Sequence, residues 1–460
     1  MAGHPTSVVA VADDVAPTSI GILPREAIHN LQNLLYIVED WGKQLHITFG
    51  VDKCKLLITA KRKKYNQVLD ILKEEPEVLT FYGKPVSIVE TSYTHIGVAQ
   101  APLRQSKIAV DDRIQKGKDI SYLMQDVTKN SIMGISPLAN RNVFMCYHSP
   151  TYLYGLDTLH VNETDVSRLE IKYREEIKRM LALPSHTPSC AVYLLFGILP
   201  AAAMRDLDIL GLLGQVAMCS EDQQNVTDII RNNLQDFDMS FSGWSSLARK
   251  TTEKYMLPDP SQYMSHPWIP DRWRKHCKTV ITNIWDAKLK EEAASKSILH
   301  LMDIPSLSTS TPHRIYSKAG LDSNNVKKCT TQIWFLTGVY HTNYLLCKMK
   351  KTNSSLCENC QVEHDIPHVL LHCGLFTNIR QTFLTNISEI NPQITNYSSK
   401  EQIMLRVFLD PESSFLPQDI LSGWMDLHLA YKLCRDVCWN IHSKIDKLKK
   451  SKSETPLTLV

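Results

Sequence analysis

The sequence predicts an α+β fold that is mostly α: a small strand-containing region, then a long helical region, then a zinc knuckle toward the C-terminus. Three observations predict it. Short apolar runs broken by Gly, Pro and Asp occur only in the first hundred residues,. From about Ala101 onward apolar residues recur at the i, i+3, i+4 spacing of amphipathic helices,. Finally, Cys357, Cys360, His368 and Cys373 stand at the spacing of a four-ligand zinc site,.

In chain order, residues 8–12 are an apolar run that stops at Asp13 and Asp14, the pattern of a buried strand ending in a turn,. Pro24 opens an amphipathic helix through Trp41, with Ile28, Leu31, Leu35 and Val38 on one face,. Residues 45–49 and 55–59 read as a strand pair about Gly50 and Asp52. Residues 79–82 and 86–89 read as a hairpin around Gly83, Lys84 and Pro85, and residues 94–98 as a further strand,. Helices are expected over 108–127, 139–154, 165–183, 204–218, 273–294, 401–408 and 416–450,. Residues 257–270 read as a loop and 306–312 (SLSTSTP) as a linker,. The expected regions are therefore 1–100 with strands, 101–256 as a helical bundle, 257–312 as a helix and linker, 313–376 as a basic segment with the knuckle, and 377–460 as closing helices with a basic tail.

A chain of 460 residues with 43% hydrophobic and 22% charged side chains is globular, and holds two to four domains at about 150 residues each,. A net charge of +3 is too mild to mark a nucleic-acid binder by itself, so the placement of charge matters more than its sum,. Between Ser323 and Cys357 stand Lys327, Lys328, Lys348, Lys350 and Lys351 with no Asp or Glu; a second lysine run spans 443–452 and holds the single acid Asp446. Such runs also form ordinary solvated faces. Twelve cysteines behind an N-terminus with no leader pattern imply an intracellular setting, nuclear or cytoplasmic, where thiols fill cores or bind metal,. The most apolar stretch, residues 190–204, contains Pro200 and is shorter than the ~18 residues a span requires, so no membrane partner is expected,.

The knuckle reads C-x2-C-x7-H-x4-C. Two thiolates separated by two residues share a tight turn, and a His and Cys five positions apart can close a tetrahedral site around zinc. His364 and His372 are alternative donors. Cys434 and Cys438, one helical turn apart, read as core. Small Cys3His units bind single-stranded nucleic acid through splayed bases, and similar modules bind proteins. The five lysines, interleaved with Trp334, Phe335, Tyr340 and Tyr344, favour RNA or DNA, because lysines meet phosphates and aromatic faces stack bases,. At helical spacing the same aromatics also suit a core.

The strings VADD (11–14), LHITFGVDKCKLLI (45–58), YTHIGV (93–98), LALPSHTPSCAVYLLFGILP (181–200) and LTGVYHTNYLL (336–346), followed by the knuckle, together resemble the C-terminal part of a non-LTR retrotransposon reverse transcriptase. The resemblance implies a palm remnant, a helical thumb and a zinc knuckle. It also assigns residues: Asp13 as a Mg2+ ligand with Asp14 beside it, Lys53 facing the leaving pyrophosphate, and His95, Ile96 and Gly97 in the primer grip. The chemistry so implied is two-metal phosphoryl transfer. Family members often carry an aromatic residue where Val11 stands and an asparagine where Gly50 stands. A further metal-binding aspartate, which the family places on an earlier palm strand, has no counterpart, and two carboxylates hold two Mg2+ ions poorly. The expectation is an N-terminally truncated homologue of an RNA-directed DNA polymerase, inactive alone, that uses Mg2+ only if a complete palm is supplied and binds element RNA or primer-template. The alternative is a non-catalytic nucleic-acid-binding or zinc-dependent protein-interaction protein.

Overall fold

The structure is a computed structural model that describes residues 6–11, 14–125, 135–219 and 243–453. The chain divides into two compact units, Met1–Asp112 and Arg113–Val460, and each is described by itself.

The first unit is organised on helix α1 (Pro24–Gln44). Pro24 opens it, where a missing N–H costs nothing, and Glu26 accepts from the Leu23 N–H in the first turn,. Ile28, Leu35 and Val38 pack with Ile58, Tyr65, Leu72, Leu79 and Phe81, tying α2 (Arg62–Glu74) to α1. Each such side chain taken fully from water contributes roughly 1.5–3 kcal/mol. Strand β1 (Thr6–Val11) pairs antiparallel with β2 (Asp14–Ser19), Val11 opposite Asp14, so the apolar run expected to end in a turn is the first arm of a hairpin.

Two strand expectations change. Residues 45–49 form no strand: the Ile47 N–H returns to the Gly42 carbonyl at 2.8 Å, and Phe49 folds back over Gly42 and against Phe81. β3 (Lys55–Leu56) instead pairs in parallel with β6 (Ser87–Ile88). The hairpin is consequently narrower than expected, β4 (Thr80–Phe81) against β5 (Lys84–Pro85). Its turn residues Tyr82 and Gly83 both take positive φ, as two-residue turns between twisted strands require,. Two side chains of α1 anchor it: Gln32 accepts from the Thr80 N–H at 2.7 Å and Glu39 from the Tyr82 N–H at 2.5 Å. A last hairpin joins β7 (Tyr93–His95) to β8 (Val98–Gln100), and α3 (Gln105–Leu123) follows.

In the second unit the expected helices form with shifted ends. A π turn at Phe144–His148 separates α4 (Pro137–Val143) from α5 (Ser149–Leu153); α6 (Glu163–Met180), α7 (Ser189–Phe196) and α8 (Ala201–Ala217) follow. Every one of residues 190–196 is buried, which explains the apolar composition there, and among the described residues no single helix is long and apolar enough to cross a membrane. After α9 (Trp244–Lys254), the expected loop contains α10 (Pro260–Ser265) and leads into α11 (Pro270–Ala294). Trp273 of α11 lies over Gly214, donates from Nε1 to the Leu210 carbonyl at 2.7 Å and stacks on Tyr263.

The linker-like residues 306–312 are packed rather than free. Asp286 accepts from the Thr309 N–H and hydroxyl, both at 2.7 Å; Arg141 donates to the Ser310 carbonyl at 3.1 Å; Leu307 is buried. Side chains from α4 and α11 thus satisfy a polar stretch that would otherwise need water. Next, α12 (Arg314–Ala319) begins at an ionic staple: Arg314 reaches buried Asp303 at 2.8 Å and buried Asp410 at 2.6 Å. Helices α13 (Ser323–Leu336), α14 (Asn343–Lys348), α15 (Thr377–Ile390), α16 (Glu401–Leu409) and α17 (Gln418–Ser422) complete the unit with α18 (Leu427–Ser453), against which α13, α15 and α16 pack. The single helix expected over 416–450 is therefore two, interrupted at residues 423–426.

Candidate metal centre and its basic surround

Residues 355–364 fold as a hairpin with the two-cysteine turn at its tip. The Cys357 N–H donates to the Val362 carbonyl at 2.7 Å, the His364 N–H to the Ser355 carbonyl at 2.9 Å, and Gln361 takes φ of 57° to turn the chain. A wide turn at His368–His372 follows, closed by the Cys373 N–H on the His368 carbonyl at 2.7 Å. This i to i+5 closure matters. An ordinary helical turn of 3.6 residues would leave positions five apart on different sides, whereas the wider turn brings His368 and Cys373 toward one point.

The donor atoms of Cys357, Cys360, His368 and Cys373 all lie within 4.8 Å of one another. Cys357 Sγ and Cys360 Sγ each stand 3.9 Å from Cys373 Sγ. Sulfurs at the corners of a zinc tetrahedron with bonds of ~2.3 Å are separated by ~3.8 Å, so the spacing fits zinc and is far too long for a disulfide of ~2.05 Å. His368 Nε2 is buried without a hydrogen-bond partner, a costly state for a ring nitrogen unless it ligates,.

The two alternative histidines are accounted for otherwise. His364 Nδ1 accepts from the Asn343 N–H at 2.9 Å, and burial lowers its pKa to about 4, which keeps the ring neutral. Exposed His372 lies 3.6 Å from Glu401.

The thiols differ in environment. Bonds from the Gly374 backbone and the Asn359 amide lower the Cys360 pKa, while burial pushes Cys373 up to about 12. Metal binding must therefore displace the Cys373 proton. Three thiolates around Zn2+ leave a net charge of −1, and Arg380 stands beside it: its guanidinium donates to the Cys373 carbonyl at 2.8 Å and feels both Cys373 and Cys360. Spacing rules do not reveal Arg380, because it reaches the centre from α15.

Of the five lysines read as one basic stretch, three stand at or just past the end of a helix that is clamped to the metal-site hairpin. Asn343, at the start of α14, donates its N–H to His364 and its side-chain amide to the Leu356 carbonyl at 2.8 Å, clamping the helix to the hairpin. Lys348, Lys350 and Lys351 are exposed at its far end, with Lys348 Nζ 4.3 Å from the centre of the Tyr344 ring. Lys327 and Lys328 are on α13, and Lys328 is bound to Asp436 at 2.6 Å, so its charge is answered within the protein. The aromatics are mostly structural. Phe335 and Tyr340 are buried and stack at 3.9 Å, and Trp334 donates to the Ala182 carbonyl at 2.9 Å. Cys434 and Cys438 are buried, as core thiols are. Lysines of the C-terminal run also meet this region: Lys444 donates to the Leu375 carbonyl at 2.6 Å, and Lys449 acts electrostatically on His341 and His364.

In the first unit, Asp13 and the side chain of Asp14 lie outside the described residues. Lys53 is exposed at the end of a 3-10 turn, Val51–Lys53, its N–H on the Gly50 carbonyl at 2.8 Å. His95, Ile96 and Gly97 form the tip of the β7–β8 hairpin, Ile96 and Gly97 with φ of 47° and 73°. A β-branched residue in the left-handed region is uncommon, and Ile96 holds it with its side chain half exposed,. No protein family matches the chain, and no curated protein or solved structure matches it.

Proposed function

We propose that the second unit is a zinc-stabilised binder of single-stranded RNA or DNA, and that the chain is related to retrotransposon reverse transcriptases. One observation carries the binding role: α14 is clamped to the knuckle hairpin through Asn343 and His364, so that the three exposed lysines at its far end are carried on an element tied to the metal site. Zinc fixes the hairpin, the hairpin fixes α14, and α14 fixes where the cations point. Lys444 and Lys449 of α18 add positive charge to the same region. The relation to reverse transcriptases rests on the ordered strings of the sequence. On it, Asp13, Asp14 and Lys53 mark a Mg2+-dependent polymerase site and His95, Ile96 and Gly97 the primer grip.

The test is fluorescence anisotropy of labelled 20-nucleotide RNA and DNA strands over a salt series. Binding is expected to weaken steeply with salt, and replacing Lys348, Lys350 and Lys351 by alanine to reduce the slope of log K against log salt by about 2, near 0.7 for each phosphate left without its lysine. Absence of binding, or a salt slope unchanged in the triple variant, refutes the role. Primer extension by this chain alone on an RNA template with Mg2+ and deoxynucleotides would refute its reading as a non-extending binder.

A further inference from the structure

A pocket of about 110 Å³ opens between the end of α13 and the last turns of α18. Pro184, Trp334 and Tyr340 supply flat apolar walls, and His341, Asp446 and Lys449 supply the polar groups. A dry cavity of ~150 Å³ takes a benzene molecule, so an open-mouthed pocket of this size suits one six-membered ring and excludes a stacked pair of bases.

The polar groups are arranged in order. His442, also in the lining, bridges the wall to the acid: its Nδ1 lies 3.1 Å from the Tyr340 hydroxyl and its Nε2 3.4 Å from Asp446 Oδ2. Burial keeps the His442 ring below its ordinary pKa, so the ring is neutral and Nδ1 can accept from the Tyr340 hydroxyl,. The Asp446 carboxylate beside it is half exposed. The mouth is cationic. Lys449 lines it directly, and Lys351 and Lys449 both act on His341, whose ring lies 5.7 Å from that of His186. Lys351 is one of the three exposed lysines assigned above to the strand, and its action on His341 ties the pocket to them.

We infer that this pocket receives one unstacked cytosine of a single strand, its ring between the apolar walls, its exocyclic amino group on Asp446 and its flanking phosphate on Lys449. A carboxylate accepts from the N4 amino group of cytosine, whereas uracil presents a carbonyl oxygen at the same place and repels it. Base extrusion of this kind is the ordinary route to sequence preference in single strands. The inference rests on the proposed nucleic-acid binding and adds the base to it.

The experiment uses the full zinc-loaded chain with labelled 12-nucleotide RNAs, one of uridine only and one alternating uridine and cytidine. The alternating strand is expected to bind about fivefold more tightly or better. Asp446→Ala and Asp446→Asn are expected to erase that difference; Lys449→Ala is expected to weaken both strands alike. Equal binding of the two strands with a steep salt dependence overturns the cytosine site and leaves the general binding intact, as does a preference that survives in both Asp446 variants. If neither strand binds, the general reading falls and the cytosine site with it.

Discussion

Chelating the ion from Cys357, Cys360, His368 and Cys373 leaves His368 Nε2 buried without a partner and removes the cross-link between the hairpin tip and the turn at Cys373. The magnitude follows from linkage: a ligand at a thousand times its dissociation constant stabilises the folded state by ~4.1 kcal/mol. The second unit has roughly 350 residues, and at ~2.1 cal/mol/K per residue its unfolding entropy is ~0.7 kcal/mol/K. The expected loss is therefore about 6 °C in Tm. Differential scanning fluorimetry with and without chelator, followed by zinc add-back, measures it, with elemental analysis giving the metal content. Cobalt substitution provides an independent readout, since a tetrahedral thiolate-rich site absorbs intensely in the visible. Cys373→Ser is expected to melt where the chelated protein melts and to respond no further to chelator. A metal-free sample that melts within a degree of the zinc-loaded one, or a zinc content well below one per chain after purification with zinc, would refute the assignment.

Three further predictions concern the scaffold that holds this centre. His313 is fully buried, and burial lowers its pKa to about 4 from 6.5. As pH falls below 6.5 the unfolded chain takes up this proton and the folded chain does not until about pH 4; the stability it contributes is thus present above 6.5 and lost across that interval, by about 3 kcal/mol,. His313→Asn keeps an acceptor for the Ile315 N–H and should flatten the acid limb of a urea-unfolding series; an unchanged limb counts against the buried neutral ring. Arg314→Met would leave Asp303 and Asp410 buried without their ion-pair partner, held by Ser414 and Tyr431, and should cost about 3–5 kcal/mol in chemical denaturation, whereas a loss below 1 kcal/mol would show that the staple contributes little,. Gly197 has φ of 65°, and a Cβ there would stand 2.1 Å from the Thr311 carbonyl carbon, so Gly197→Ala should cost roughly 2–4 kcal/mol,. Gly83, at φ of 72° with open space around it, should lose only about 1 kcal/mol on the same change; equal losses would contradict the close packing of residues 311 and 312 on α7,.

Part of the fold and of the site is legible in the amino-acid order alone. The spacing of Cys357, Cys360, His368 and Cys373 is a local property, because all four ligands lie within seventeen consecutive residues, and the cluster forms as the spacing implies. The long helices are legible for the same reason: the 3.6-residue period of α1 and α6 records which side faces a core, whatever that core is. Strand pairing is less so. Nothing local to residues 45–49 says that Phe49 will fold over Gly42 and leave β3 to pair with a segment thirty residues on.

What only the tertiary structure decided is which of several chemically equivalent side chains is at liberty to act. Three histidines stand near the cysteines, and the choice of His368 depends on His364 being engaged by Asn343 and on His372 lying near Glu401. Five lysines read alike in sequence, yet Lys328 is answered by Asp436, more than a hundred residues away, while Lys348, Lys350 and Lys351 remain exposed. The pocket beneath Lys449 combines residues near 184, 340 and 446, and no periodicity connects them. Residue type and spacing set what each group is able to do, but distance and burial between remote segments set its partner, and those are fixed only when the helices pack.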